Sequence, residues 1–111
     1  MKEETKTKIN DLIKKNTICL FMKGTPDVPQ CGFSMAVSNV LKHLKVHYTG
    51  VNVLEDPEIR DGIKVHSDWP TIPQLYIKGE FIGGCDIVKE MFESGELKKI
   101  LVEKKNNLIF F

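Results

Sequence analysis

Thr17-Ile18-Cys19-Leu20-Phe21-Met22 runs through Lys23 and a loop over 24–30 into Cys31-Gly32-Phe33-Ser34, and there the spacing of apolar residues changes. The first six residues are a short continuous apolar stretch, the pattern of a strand buried on both faces. Pro26, Asp27 and Pro29 mark the next segment as a loop. From Phe33 onward, Ala36, Val37, Val40, Leu41 and Leu44 recur at three- and four-residue steps, which predicts a helix of about three turns. A buried strand feeding such a helix predicts an α/β fold. It also sets the lone thiol of Cys31 near the positive end of a helix dipole, where the thiolate is favoured. A second cysteine of the Cys-x-x-Cys kind would stand where this chain has Ser34.

Outward from this unit, 6–15 carries Ile9, Leu12 and Ile13 on one helical face, and Asn16 can end that helix. Residues 48–53 read as a second strand. Asp56-Pro57-Glu58 reads as a helix start, with Asp56 as N-cap, Pro57 at the first position, and Ile59 and Ile63 facing inward. Trp69-Pro70-Thr71-Ile72-Pro73 breaks the pattern. Gln74–Ile77 and 80–82 then form a hairpin about Lys78-Gly79, and Gly83-Gly84 opens a last helical section interrupted at Ser94-Gly95. The order is α-β-α-β-α-β-β-α-α. The first two strands are expected parallel through a crossover helix, the last two antiparallel.

With 111 residues and 41% hydrophobic content, the chain suits one domain over 1–111, with a core over about 5–103 and an apolar tail over 104–111. The tail ends Leu108-Ile109-Phe110-Phe111, and it either docks on the chain's own surface or meets a partner. Interspersed charges and a net charge of +1 argue against disorder and against a nucleic-acid partner. No apolar run reaches the roughly 20 residues of a membrane span. Met1-Lys2-Glu3-Glu4 has the features of neither a secretory signal nor a transit peptide. Three cysteines make no disulfide framework, so a reducing cytoplasm or an equivalent matrix compartment is expected.

Three constellations carry chemistry. Around Cys31, a thiol with its pKa lowered to about 6.5 would be mostly ionised near neutrality, against about 5% for an unperturbed one. Lys23 adds positive charge there, Gly32 lets a ligand approach the backbone, and Ser34 offers a hydroxyl. At Ile72-Pro73, a cis proline would turn the Ile72 backbone N–H and C=O outward to pair with an extended peptide, whereas a trans proline would simply open a strand. At Gly83-Gly84-Cys85-Asp86, amides at a helix start suit a carboxylate, and Asp86 either accepts from an ammonium group or caps its own helix. Cys85 reads as packing, and Cys19 as core. His43, His47 and His66 have no spacing that suggests a ligand set.

Met22-Lys-Gly-Thr-Pro26, Pro29-Gln-Cys-Gly-Phe-Ser34, Trp69-Pro-Thr-Ile-Pro-Gln-Leu75 and Gly83-Gly-Cys-Asp-Ile-Val88, in this order, closely resemble a monothiol glutaredoxin of the CGFS type. The resemblance spans about 5–103. It implies a thioredoxin-like (glutaredoxin) fold, with a four-stranded mixed sheet flanked by helices. It also implies a glutathione site. Lys23 and Arg60 match the family's cations for the glycine carboxylate, and Ile72 matches the position that pairs with the cysteinyl unit. Cys85 and Asp86 match the positions holding the γ-glutamyl head. Without the resemblance, Arg60 would read as a solvated helix residue. Ile72 replaces an aromatic often found there, which alters contact area.

Two functions follow from the resemblance. In the first, Cys31 of two subunits and two glutathiones hold a bridging [2Fe–2S] cluster, for transfer to apo iron–sulfur proteins and with a BolA-like protein as partner. In the second, Cys31 takes glutathione from a mixed disulfide and a second glutathione regenerates it, with Cys85 as a distant resolving thiol if the fold brings it near. In the family, the long 24–30 loop is associated with poor turnover on mixed disulfides, which ranks cluster carriage first and leaves at most weak oxidoreductase activity. A third reading is a module that senses cluster supply.

Overall fold

A computed structural model describes residues 1–103; the expectation for the tail over 104–111 lies outside the described residues. The elements are α1 (Glu3–Lys15), β1 (Ile18–Met22), α2 (Gly32–His43), β2 (Thr49–Asn52), a 3₁₀ turn (Val53–Glu55), α3 (Pro57–Ser67), β3 (Gln74–Ile77), β4 (Glu80–Gly83), α4 (Cys85–Ser94) and α5 (Glu96–Glu103). Four strands form one sheet in the order β2-β1-β3-β4. β1 is parallel to β2 and antiparallel to β3, and β3 is antiparallel to β4.

The continuous apolar run of β1 is explained by two cores. Successive strand side chains point to opposite faces. Ile18, Leu20 and Met22 therefore enter one cluster with Val37, Val40 and Leu41 of α2, Val88 of α4, and Leu97 and Leu101 of α5. Cys19 and Phe21 enter the other, with Ile9 and Ile13 of α1 and Ile59 and Ile63 of α3. The sheet is thus sandwiched between α1 and α3 on one face and α2, α4 and α5 on the other. Burying one such aliphatic side chain contributes about 1.5–3 kcal/mol, and β1 is buried along its whole length.

Local chemistry sets the boundaries. Helix α1 begins at Glu3, earlier than the expected Lys6, because Glu3 and Glu4 in the first turn suit the helix dipole. Asn16 ends it, its Nδ2 donating to the Leu12 carbonyl at 2.8 Å. The second strand is shorter than 48–53, because the Asn52 side chain accepts from the Leu54 N–H at 3.0 Å and turns Val53 into the 3₁₀ segment. Asp56 caps α3 through the Glu58 and Ile59 amides at 3.1 and 3.2 Å, with Pro57 at the first position. Lys78 and Gly79 both take positive φ, the backbone of a two-residue hairpin turn. Gly83 belongs to β4 rather than to the helix start, which falls one residue later at Gly84.

Candidate functional site

The topology gathers the chemistry at one end of the sheet. β1 and β2 run parallel and finish side by side at Met22 and Asn52, whereas β3 starts there with Gln74 opposite Phe21, and β4 ends there at Gly83. Four segments leave or enter at that end. They are the loop into Cys31, the turn leading into α3 and Arg60, the stretch from Trp69 to Pro73, and Gly84 with the first turn of α4.

Cys31 is the N-cap residue of α2 and is partly exposed. Its side chain closes no capping hydrogen bond, so the nearby amides act on the sulfur as oriented dipoles. The Ser34 N–H lowers its pKa most, and burial opposes this. The Phe33 N–H, the Lys23 ammonium and the Ser34 hydroxyl add to the lowering. The thiolate is favoured chiefly through the first turn of the helix, with Lys23 adding to it.

Ser34 itself is fully buried, and its Oγ accepts from the Lys23 backbone N–H at 3.0 Å. A buried hydroxyl with a committed partner makes this position part of the scaffold under the thiol. Nothing in the spacing of Cys31-Gly32-Phe33-Ser34 points to that bond, because its partner lies eleven residues upstream across the loop.

Beside Cys31 runs a groove of about 320 Å³, whose walls come from Phe33 of α2, Trp69 to Pro73 except Pro70, and Gly84 to Ile87. The Ile72–Pro73 peptide bond is cis. Ile72 is buried, and its side chain joins the core shared with Ile59, Phe21 and Tyr76. Ile72 also lines the groove, so its departure from an aromatic bears on core packing as well as on contact area there. Gly84 caps α4 without a side-chain bond, which leaves the first amides of that helix to other acceptors. A Cβ at Gly84 would stand 3.1 Å from Trp69 Nε1 and 3.3 Å from the Pro73 carbonyl. Asp86 is exposed in the first turn and is not the cap. Trp69 Nε1 is buried with no hydrogen-bond partner among the described residues, a donor whose desolvation is uncompensated.

Ile72, Cys85 and Asp86 thus share one groove. Cys85 is partly buried, and burial pushes its thiol pKa up; the positive Lys89 opposes this, while Asp86 and Cys31 reinforce it. Cys85 and Cys31 are therefore close enough to feel each other's charge. Arg60 is not among the residues that line this groove; it is exposed on α3, with its Nε 3.6 Å from Asp61 Oδ1. Cys19 is core, its pKa pushed up to about 12 by burial. The sequence reading did not single out Phe33, Trp69 and Thr71 as groove walls. Their signal was present in the Trp-Pro-Thr-Ile-Pro run, but which of its residues face the groove depends on how the chain enters β3.

The family model described as Glutaredoxin matches residues 18–82 of this chain. A protein of Rickettsia typhi, "Probable monothiol glutaredoxin 2", is 53% identical over 96 residues, covering 86% of each chain. The solution structure of reduced apo GrxS14 from poplar superposes with a TM-score of 0.80 at 47% identity, over 92% of this chain and 94% of that one. A buckwheat glutaredoxin–glutathione complex superposes with a TM-score of 0.81 at 25% identity, over 93% of this chain and 96% of that one.

Proposed function

The chain belongs to the monothiol glutaredoxins, and on that premise we propose that it binds glutathione beside Cys31 and carries a [2Fe–2S] cluster bridged between two copies of itself. The observation that carries this reading is a single partly exposed thiol, held toward thiolate, with a buried serine three positions along the same turn. A [2Fe–2S] cluster takes four thiolate ligands. One chain places one such sulfur at the site, and Cys85, held toward the neutral thiol, is a poor second. Two Cys31 residues and two glutathione sulfurs complete the set.

The groove suits glutathione's chemistry. The Ile72 backbone beside cis-Pro73 pairs with the extended cysteinyl unit. The uncapped amides of α4 receive the γ-glutamyl carboxylate, Asp86 receives its ammonium group, and the bare Cα of Gly84 lets that end lie close. Lys23 and Arg60 are the cations for the glycine carboxylate. Two of the four cluster ligands are then small exchangeable thiols, which favours delivery to apo iron–sulfur proteins, with a BolA-like protein as partner. A reducing compartment, cytoplasm or matrix, keeps such ligands available. None of the described helices is long and apolar enough to cross a membrane.

The depressed thiol also favours a second, weaker activity. The Cys31 thiolate attacks the glutathione sulfur of a mixed disulfide and releases the client thiolate; a second glutathione thiolate then attacks the Cys31–glutathione disulfide, forming oxidised glutathione and freeing Cys31.

Anaerobic reconstitution with iron and sulfide separates the two. A visible-absorbing dimer is expected only when glutathione is present, and none from Cys31→Ser protein. A cluster that forms equally without glutathione, or in that variant, overturns the carrier reading. Fast turnover of a glutathione mixed disulfide reverses the ranking.

A further inference from the structure

The loop over 24–30 is held at its far side by residues that belong to neither the thiol nor the groove. Its interior is closed by Thr25 N–H to the Val28 carbonyl at 3.2 Å and Val28 N–H to the Thr25 carbonyl at 3.1 Å. At its base, the Gln30 N–H donates to the Lys23 carbonyl at 2.9 Å, and Gly24 pairs with Pro29. Three contacts then fasten it to the body. The Gly24 N–H donates to Asn52 Oδ1 at 3.0 Å. Lys42 Nζ, in the last turn of α2, donates to the Pro26 carbonyl at 2.7 Å. The Pro26 ring lies directly on Gly50 of β2, where a Cβ would come within 2.6 and 2.7 Å of its ring carbons. Burial chiefly raises the pKa of Tyr48, whose hydroxyl is 2.6 Å from Ser38 Oγ of α2 in a bond that opposes the rise, and the charge of Asp27 in the loop adds to it.

We propose that Lys42 and Gly50 are positioning residues for Cys31: together they clamp the 24–30 loop, and the clamp sets where its two ends, Lys23 and Cys31, stand relative to each other. Cys31 follows Gln30 directly, and Gln30 is hydrogen-bonded to Lys23. Lys23 is in turn bonded through its N–H to Ser34. A displacement of Pro26 therefore has a short covalent and hydrogen-bonded route to the thiol. Lys42 reaches this route from the opposite end of the helix that Cys31 caps.

The test is the pH profile of iodoacetamide labelling at Cys31, followed by mass spectrometry of its peptide. Lys42→Met is expected to slow labelling about threefold at pH 7 and to move the profile toward higher pH, as the thiolate loses its arranged surroundings. Lys42→Arg restores the profile, and Lys14→Met, which removes the same charge from α1, leaves it unchanged. Gly50→Ala, which changes no charge, shifts the profile in the same direction as Lys42→Met by displacing Pro26. A Lys42→Met profile that matches the unsubstituted protein overturns the proposal even if Gly50→Ala fails to fold. So does a shift in Lys14→Met as large as in Lys42→Met, because that would be loss of charge alone. The labelling needs no bound ligand, so its outcome is separate from that of the glutathione reading.

Discussion

The Ser34 hydroxyl makes two interactions that a cysteine could not easily replace. Its oxygen accepts from the Lys23 N–H, and it favours the Cys31 thiolate, alongside the position-34 backbone N–H that any such residue would keep. Ser34→Ala leaves a part-buried backbone donor without its partner, which costs about 1–2 kcal/mol. It also raises the Cys31 pKa toward the free-thiol value of about 8.5. Because the folded pKa of Cys31 lies below the unfolded one, its ionisation stabilises the fold fully above the unfolded value, and this contribution is lost as pH falls through the folded value. The stability deficit of Ser34→Ala is therefore expected to widen as pH rises from the folded pKa of Cys31 toward about 8.5. Urea denaturation across that range, with thiolate absorbance at 240 nm, measures both effects; a deficit independent of pH would mean that the hydroxyl serves packing alone.

Among the elements, the pairing of α1 with α3 depends on a glycine. At Gly62 an added Cβ would meet Ile9 Cδ1 at 2.9 Å and Thr5 Cγ2 at 3.0 Å, so the helices approach through the missing side chain. Ile9 and Ile63 are wholly buried in this layer, and Thr5 Oγ1 donates to Glu58 Oε2 across it at 3.1 Å. An alanine needs only a small shift of the Ile9 terminal methyl. A leucine cannot fit without separating the helices, and Gly62→Leu is expected to destabilise the protein by about 1–3 kcal/mol. Hydrogen exchange in α1 should speed more than in β1, and uniform exchange through both elements would mean that α1 is not a separable layer. Because α1 covers the face away from α2, the Cys31 labelling profile of this variant should stay close to that of the parent.

On the scale of the whole molecule, a net charge of +1 gives two copies little long-range attraction or repulsion. In the proposed dimer the bridging cluster and its two glutathiones thus supply the decisive contacts, and association follows their occupancy by mass action. Stripping the iron with a chelator, or dialysing glutathione away, is expected to return the reconstituted dimer to monomer by sedimentation. A dimer that survives both treatments would have a protein interface of its own.

Much of this architecture was legible in the chain. The apolar run into β1, the three-and-four spacing after Cys31, the Asp56-Pro57 helix start and the Lys78-Gly79 turn each report a local preference, and each appears where local physics puts it. The family motifs also marked the segments that line the groove. What local preference does not encode is which strands lie side by side. The antiparallel pairing of β1 with β3 joins residues more than fifty positions apart, and it brings Cys31, Trp69 and Gly84 to one end of the sheet. The same holds for Lys42 on Pro26, Gly50 beneath it and Ser34 under Lys23, whose partners are chosen by the packing of α2 and β2 against the loop. Periodicity along the chain was therefore enough to place the thiol at a helix start. Its surroundings were decided only when non-local strand pairing set distant backbone and side-chain groups around it.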